Sequence, residues 1–205
     1  MSNFRRRLMC KNPKSDLPSG YTKLNYLEST GTQYIDLGVT PLEIIKMQLI
    51  FDYKITDYAN NSVLFGATDY FYIHQLFVYT SHEKVGLQWC YGTPDWTLIV
   101  DKDTKRHNIK IDLLTKNALV DGESYEITIN NNQAIKLNIY LFCRNTKNTA
   151  TSFISARIYS FKIQNGDELY RNFVPALDTK NRPCLYDTVS HKPFYNQGKG
   201  EFLYG

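Results

Sequence analysis

Tyr26 to Gly38 reads YLESTGTQYIDLG. Ser29, Thr30 and Thr32 surround Gly31, a composition that suits either a phosphate cradle or a tight turn. A cradle needs backbone N–H groups converging at a helix start, usually with several glycines and a lysine. Here one glycine stands between two strand-like runs, and no helical pattern follows it. Tyr34 and Asp36 alternate with Ile35 and Leu37, so the chain leaves as a strand. Gly31 supplies the turn, and the neighbouring hydroxyls bond locally to its backbone.

The same reading extends along the chain. Residues 45–55, IKMQLIFDYKI, alternate apolar and polar as a half-buried strand does. Residues 62–67 and 70–80 are rich in β-formers across a short polar turn. Residues 85–91 and 96–100 form a further pair around Gly92-Thr93-Pro94-Asp95. Residues 107–113 alternate again, and Asp121-Gly122 after Ala118-Leu119-Val120 is a two-residue hairpin signal. Long apolar-rich strands are expected at 135–143 and 153–163. No window of helical period with caps at both ends exists. Short strands with closely spaced turns indicate an all-β sandwich. At 205 residues, with no internal linker or repeat, 21–205 reads as one domain.

Charge divides the chain differently. The formal net charge of +4 lies in residues 1–20, where Arg5, Arg6, Arg7, Lys11 and Lys14 face Asp16 alone. The rest balances, so the domain lacks the electrostatic footprint of a nucleic-acid binder. Residues 1–20, broken by Pro13, Pro18 and Gly20, read as an arm. Two readings of it stand, a tail or a docking peptide that uses Phe4, Arg5, Arg6, Arg7 and Leu8. No stretch is long and apolar enough to span a membrane. The start carries charge without the apolar core of a secretory signal, so synthesis in the cytoplasm is expected. Cys10, Cys90, Cys143 and Cys184 stand far apart, with no Cys-x-x-Cys pair; neither disulfides nor zinc are expected.

Three segments, in order, resemble the laminin-G-like, concanavalin A-like jelly rolls of gut bacteria and their tailed phages. They are residues 21–38; Ala118 to Gly122 with Ala156-Arg157-Ile158-Tyr159-Ser160-Phe161-Lys162-Ile163; and 171–205, with Val174-Pro175, Leu185-Tyr186-Asp187 and Phe194-Tyr195-Asn196. The Arg-Arg-Arg-Leu opening is similar to that of phage-encoded members. The resemblance implies two curved antiparallel sheets, one of which often binds glycans. It also implies a virion protein of head or tail, held to other virion proteins by the arm, and a homo-oligomer. A lectin or carbohydrate-binding module of a gut bacterium, and a glycoside hydrolase of the same fold, are the alternatives.

A glycosidase needs two carboxylates across one sugar bond, and glucanases of this fold carry Glu-x-Asp-x-x-Glu, which is absent. Glu123 and Glu126 flank the hairpin, and Asp101 and Asp103 have Lys102 and Lys105 beside them for surface pairing. His74, His82, His107 and His191 show no metal spacing, and no Asp-x-Asp-x-Asp-Gly calcium loop occurs. No cofactor or metal and no catalytic residue is expected. Sugar binding asks for aromatic faces and a few hydrogen-bonding groups. Trp89, Tyr91 and Trp96 bracket one loop, Tyr72 lies on a nearby strand, and Arg144 with Asn145 opens a polar loop. These six are the candidate ligand residues, with core or rim packing as the other reading of both tryptophans.

Overall fold

Leu49, Phe51, Tyr53 and Ile55 alternate with half-exposed neighbours along the Gln48–Asp57 strand, and all four are buried. A sheet that is apolar on one face must cover that face with another. The structure, a computed structural model, describes residues 17–57, 61–69, 72–78, 84–91, 96–101, 103–129 and 135–205. For some strand residues, Tyr72, Trp89, Tyr91 and Trp96 among them, it describes the backbone alone. Phe4 to Leu8 and the 92–95 loop lie outside the described residues.

Two sheets result. The larger runs, edge to edge, through Glu123–Glu126, Asn117–Val120, Arg106–Asp112, Gln48–Asp57, Ser155–Asn165, Glu168–Leu177, Pro183–Asp187 and Lys192–Tyr195. Thr22–Lys23, Leu27–Thr30 and Leu203–Tyr204 add to it. The smaller runs through Thr149–Thr151, Arg144–Thr146, Ser62–Thr68, Tyr72–Val78, Lys84–Tyr91 and Trp96–Asp101, joined by Ile35–Asp36 and Tyr140–Leu141. Phe65 of the smaller sheet meets Phe51 and Phe161 of the larger, with ring centroids 5.3 and 5.5 Å apart. Edge-to-face packing of this kind locks the two layers together. The described residues contain no helix. The expected hairpin forms as read: Val120 pairs with Glu123, and Asp121 and Gly122 have φ of 52° and 94°, the two positive values a tight hairpin turn requires.

One expectation is corrected. Residues 135–143 do not form a long strand; only Tyr140–Leu141 joins the ladder there. Phe142, fully buried with φ of 69°, reverses the chain. Leu141 pairs antiparallel with Phe65, whereas Arg144–Thr146 pairs parallel with the same strand. Ile135, Leu137, Ile139 and Leu141 alternate with Lys136 and Asn138 as in a strand, but the backbone meets a ladder partner only at Tyr140–Leu141. Arg144 and Asn145 accordingly lie in a strand, not in the polar loop expected of them. Packing also begins inside the stretch read as arm. Leu17 is 8% exposed in a satellite cluster with Ala176, Cys184 and Tyr186. Cys143 and Cys184 are free, buried thiols, and burial pushes Cys184 up to about 12, which leaves it unreactive at neutral pH.

Candidate ligand-binding face

Phe65 points at the larger sheet, so its neighbour Gly66 lies on the opposite, outer face of the smaller one. The ladder through Gly66 sets Arg144 on one side and Gln75 on the other, then Gln88 and finally Trp96. Gly66 is required here: a Cβ would fall 2.5 Å from that of Gln75. With nothing between them, Arg144 Nη1 reaches across to donate to Gln75 Oε1 at 3.4 Å. Gln75 Nε2 donates in turn to Gln88 Oε1 at 2.9 Å. Both glutamines are nearly buried, 5% and 6% exposed. Among the described residues, nothing accepts from Gln88 Nε2. A buried amide costs free energy unless its hydrogen bonds are made, and the Arg144–Gln75–Gln88 bonds meet part of that need. Thr146 and Thr151, bonded to each other at 2.7 Å, continue the polar row beside Arg144.

The candidate residues divide on this geometry. Arg144 belongs to the relay, and Trp96 holds the register position opposite Gln88. Trp89 pairs with the buried His74 one register step from the relay row, and Tyr72 with Tyr91 three steps from it. Asn145 is fully buried. Its Nδ2 donates to the Asn138 carbonyl at 2.8 Å, and its Oδ1 accepts from Asn148 N–H at 2.7 Å. Its amide holds the fold together and does not face a sugar. Gln75 and Gln88 were missed in the sequence. Each is a lone glutamine in an apolar strand, and only the register aligns them.

A second concavity, about 440 Å³, opens at the edge of the same sheet. Gly31, Thr32, Tyr34 and Phe153 line it with Gln197, Gly198 and Lys199. The opening turn stands at its wall. Gly31 has φ of 95°, and its N–H donates to Ser29 Oγ at 3.1 Å. Thr30 N–H donates to Gln33 Oε1 at 2.8 Å. Tyr34 stacks obliquely on Tyr140, 4.9 Å between centroids, and meets Phe153 edge-on at 6.2 Å. Tyr140 pairs with Gly66, which ties this concavity to the relay face.

A third feature lies on the larger sheet. His107 Nδ1 is 2.7 Å from Asp121 Oδ2 and its Nε2 is 2.9 Å from Asp103 Oδ1. Lys105 pairs with Asp103 at 3.4 Å, the surface pairing that the sequence suggested. Burial works to raise the Asp103 carboxyl, but the Lys105 N–H and His107 bonds outweigh it and hold the group below its ordinary range. Both ring nitrogens are engaged, so neither is left to take a proton from a substrate. Among the described residues, no serine, cysteine or threonine lines the concavity that Asp101, Glu123 and Tyr125 form beside them.

Among known proteins, no protein family and no curated protein matches the chain. In structure it resembles a Bacteroides ovatus protein described as a putative carbohydrate binding protein. The TM-score is 0.58 at 9% identity, over 90% of this chain and 60% of that one. The likeness is one of fold: the chain is an all-β jelly-roll sandwich of two sheets.

Proposed function

We propose that this chain is a non-catalytic carbohydrate-binding jelly roll, carried on the virion of a tailed phage to hold host surface glycans. The Arg144–Gln75–Gln88 relay carries the binding part. Guanidinium and amide groups suit sugar hydroxyls: the guanidinium supplies donors only and the amide both a donor and an acceptor, to hydroxyls that can play either part. A hydrogen-bonded polar row that ends at the register position opposite Trp96 gives a sugar a polar edge to meet. The ligand class named for the Bacteroides ovatus protein agrees with this. The missing carboxylate pattern and the doubly engaged His107 support a binder over a hydrolase. The virion part is supported by the basic stretch 1–20, whose Arg-Arg-Arg-Leu opening is similar to that of phage-encoded members, and by the ordered resemblance of three segments to jelly rolls of gut bacteria and their tailed phages.

An array of bacterial surface glycans tests the binding part. Wild type is expected to give signal, and Arg144→Ala, Gln88→Ala and Trp96→Ala each to lower it about tenfold, the worth of one good polar contact. No wild-type signal above background, or three variants that bind as wild type does, would sink it. The Bacteroides ovatus neighbour favours a second reading of the same face, a bacterial carbohydrate-binding module. Incorporation into phage particles separates the two.

A further inference from the structure

We infer that the concavity between Tyr34, Phe153 and the Gln197–Lys199 loop is an end subsite for an acidic monosaccharide of the hexuronic class. From the reading above it takes the ligand class, and the relay face that would hold the rest of a chain.

The walls are pre-organised. Lys199 N–H donates to the Thr32 carbonyl at 3.0 Å, and Gln197 N–H to the Tyr34 carbonyl at 2.9 Å. Thr32 Oγ1 donates back to the Lys199 carbonyl at 3.0 Å, and Tyr34 N–H to Asn196 Oδ1 at 3.2 Å. Gly198 permits this approach, since a Cβ there would lie 2.1 Å from the Thr32 oxygen. Two segments more than 160 residues apart are thereby held as one rim. A site so fixed loses little entropy when a ligand enters.

The chemistry of the lining selects the ligand. Tyr34 and Phe153 offer aromatic surface to the C–H face of a pyranose. Burial, then the nearby Cys143 and Asp36, raise the Tyr34 hydroxyl, so it stays a neutral donor. The volume suits a small ligand. Lys199 is the cation of the lining, and no carboxylate accompanies it. Its side chain forms no ion pair with any described residue. A ligand carboxylate gains a charge-assisted hydrogen bond from Lys199 that a neutral sugar lacks.

An NMR titration of the full chain tests this, with methyl β-glucuronide and methyl β-glucoside as probes. The glucuronide is expected to shift the backbone amides of Gln197, Gly198 and Lys199 and to bind about tenfold better than the glucoside. Lys199→Gln, at an exposed position, should remove that preference while Phe153→Ala weakens both probes. Unmoved amides, equal binding of the two probes, or an unchanged preference in Lys199→Gln overturns the inference. The array separates its failure from that of the broader reading. Array signal lost in Arg144→Ala, with no glucuronide response, removes the subsite and leaves the glycan binder standing.

Discussion

His74 sits fully buried in the smaller sheet, where burial lowers its imidazole to about 4, against the opposing charge of Asp69. In an unfolded chain the same group titrates near 6.5. Between those values the unfolded state binds a proton that the folded state refuses, so stability rises with pH there. It is full above pH about 6.5 and falls toward pH about 4, by an amount on the order of 3 kcal/mol. Urea unfolding at pH 7 and 4.5 should show that loss in wild type and much less in His74→Gln; parallel losses would contradict it. Asp178 acts in a lower window. Burial opposes its ionisation, yet N–H bonds from Arg182 and Lys180, the Tyr195 hydroxyl and the Arg182 side chain hold its pKa far below the ordinary value. Its contribution is present above pH about 4 and is lost as pH falls below that. The Asp178 carboxyl carbon should therefore remain in its ionised position at pH 3 in an NMR titration. Gly198→Ala belongs at this scale as well. With no room for a Cβ against Thr32, it should destabilise by about 1–3 kcal/mol, read from the urea midpoint.

At the scale of elements, the last strand closes the sandwich. Leu203–Tyr204 pairs with Leu27–Thr30, and Gly205 accepts N–H bonds from Asn25 and Tyr26. Phe202, 2% exposed, packs on Phe142 at 5.5 Å, where the chain reverses between its antiparallel and parallel pairings. Phe202→Ala is expected to cost about 3–5 kcal/mol, a large aromatic lost from a closed core. A smaller loss in urea denaturation would mean that the terminal strand is dispensable. The strands were legible where side chains alternate, as in Gln48–Asp57 and Arg106–Asp112, because the 2.0-residue period is local. Alternation misled at 135–143, where Ile135 to Leu141 carry the period of a strand but only Tyr140–Leu141 finds a ladder partner. Leu141 and Arg144 pair with one strand in opposite senses, which only the reversal at Phe142 explains.

At the scale of the molecule, the arm and the domain are separable claims. Leu17 belongs to the packed cluster, so a deletion that respects the fold stops at residue 16. Removing residues 1–16 should leave the thermal midpoint unchanged and abolish incorporation into phage particles. Particles that still carry the truncated protein would show that the arm is not the attachment device.

What the amino-acid order determined by itself was the class of the fold, the hairpin at Asp121-Gly122 and the turn at Gly31, since each rests on near neighbours. It also marked Arg144 and Trp96 as residues of interest without saying that one ladder runs between them. The tertiary structure alone decided that Gly66 clears a path from Arg144 to Gln75 and Gln88, and that Asn145 serves the fold. It alone brought the turn at Gly31 against the Gln197–Lys199 loop, making a local turn into the wall of a concavity. The physical reason is range. Turns and alternation are set within a few residues, whereas a shared face depends on sheet register, which is fixed only when distant strands pair.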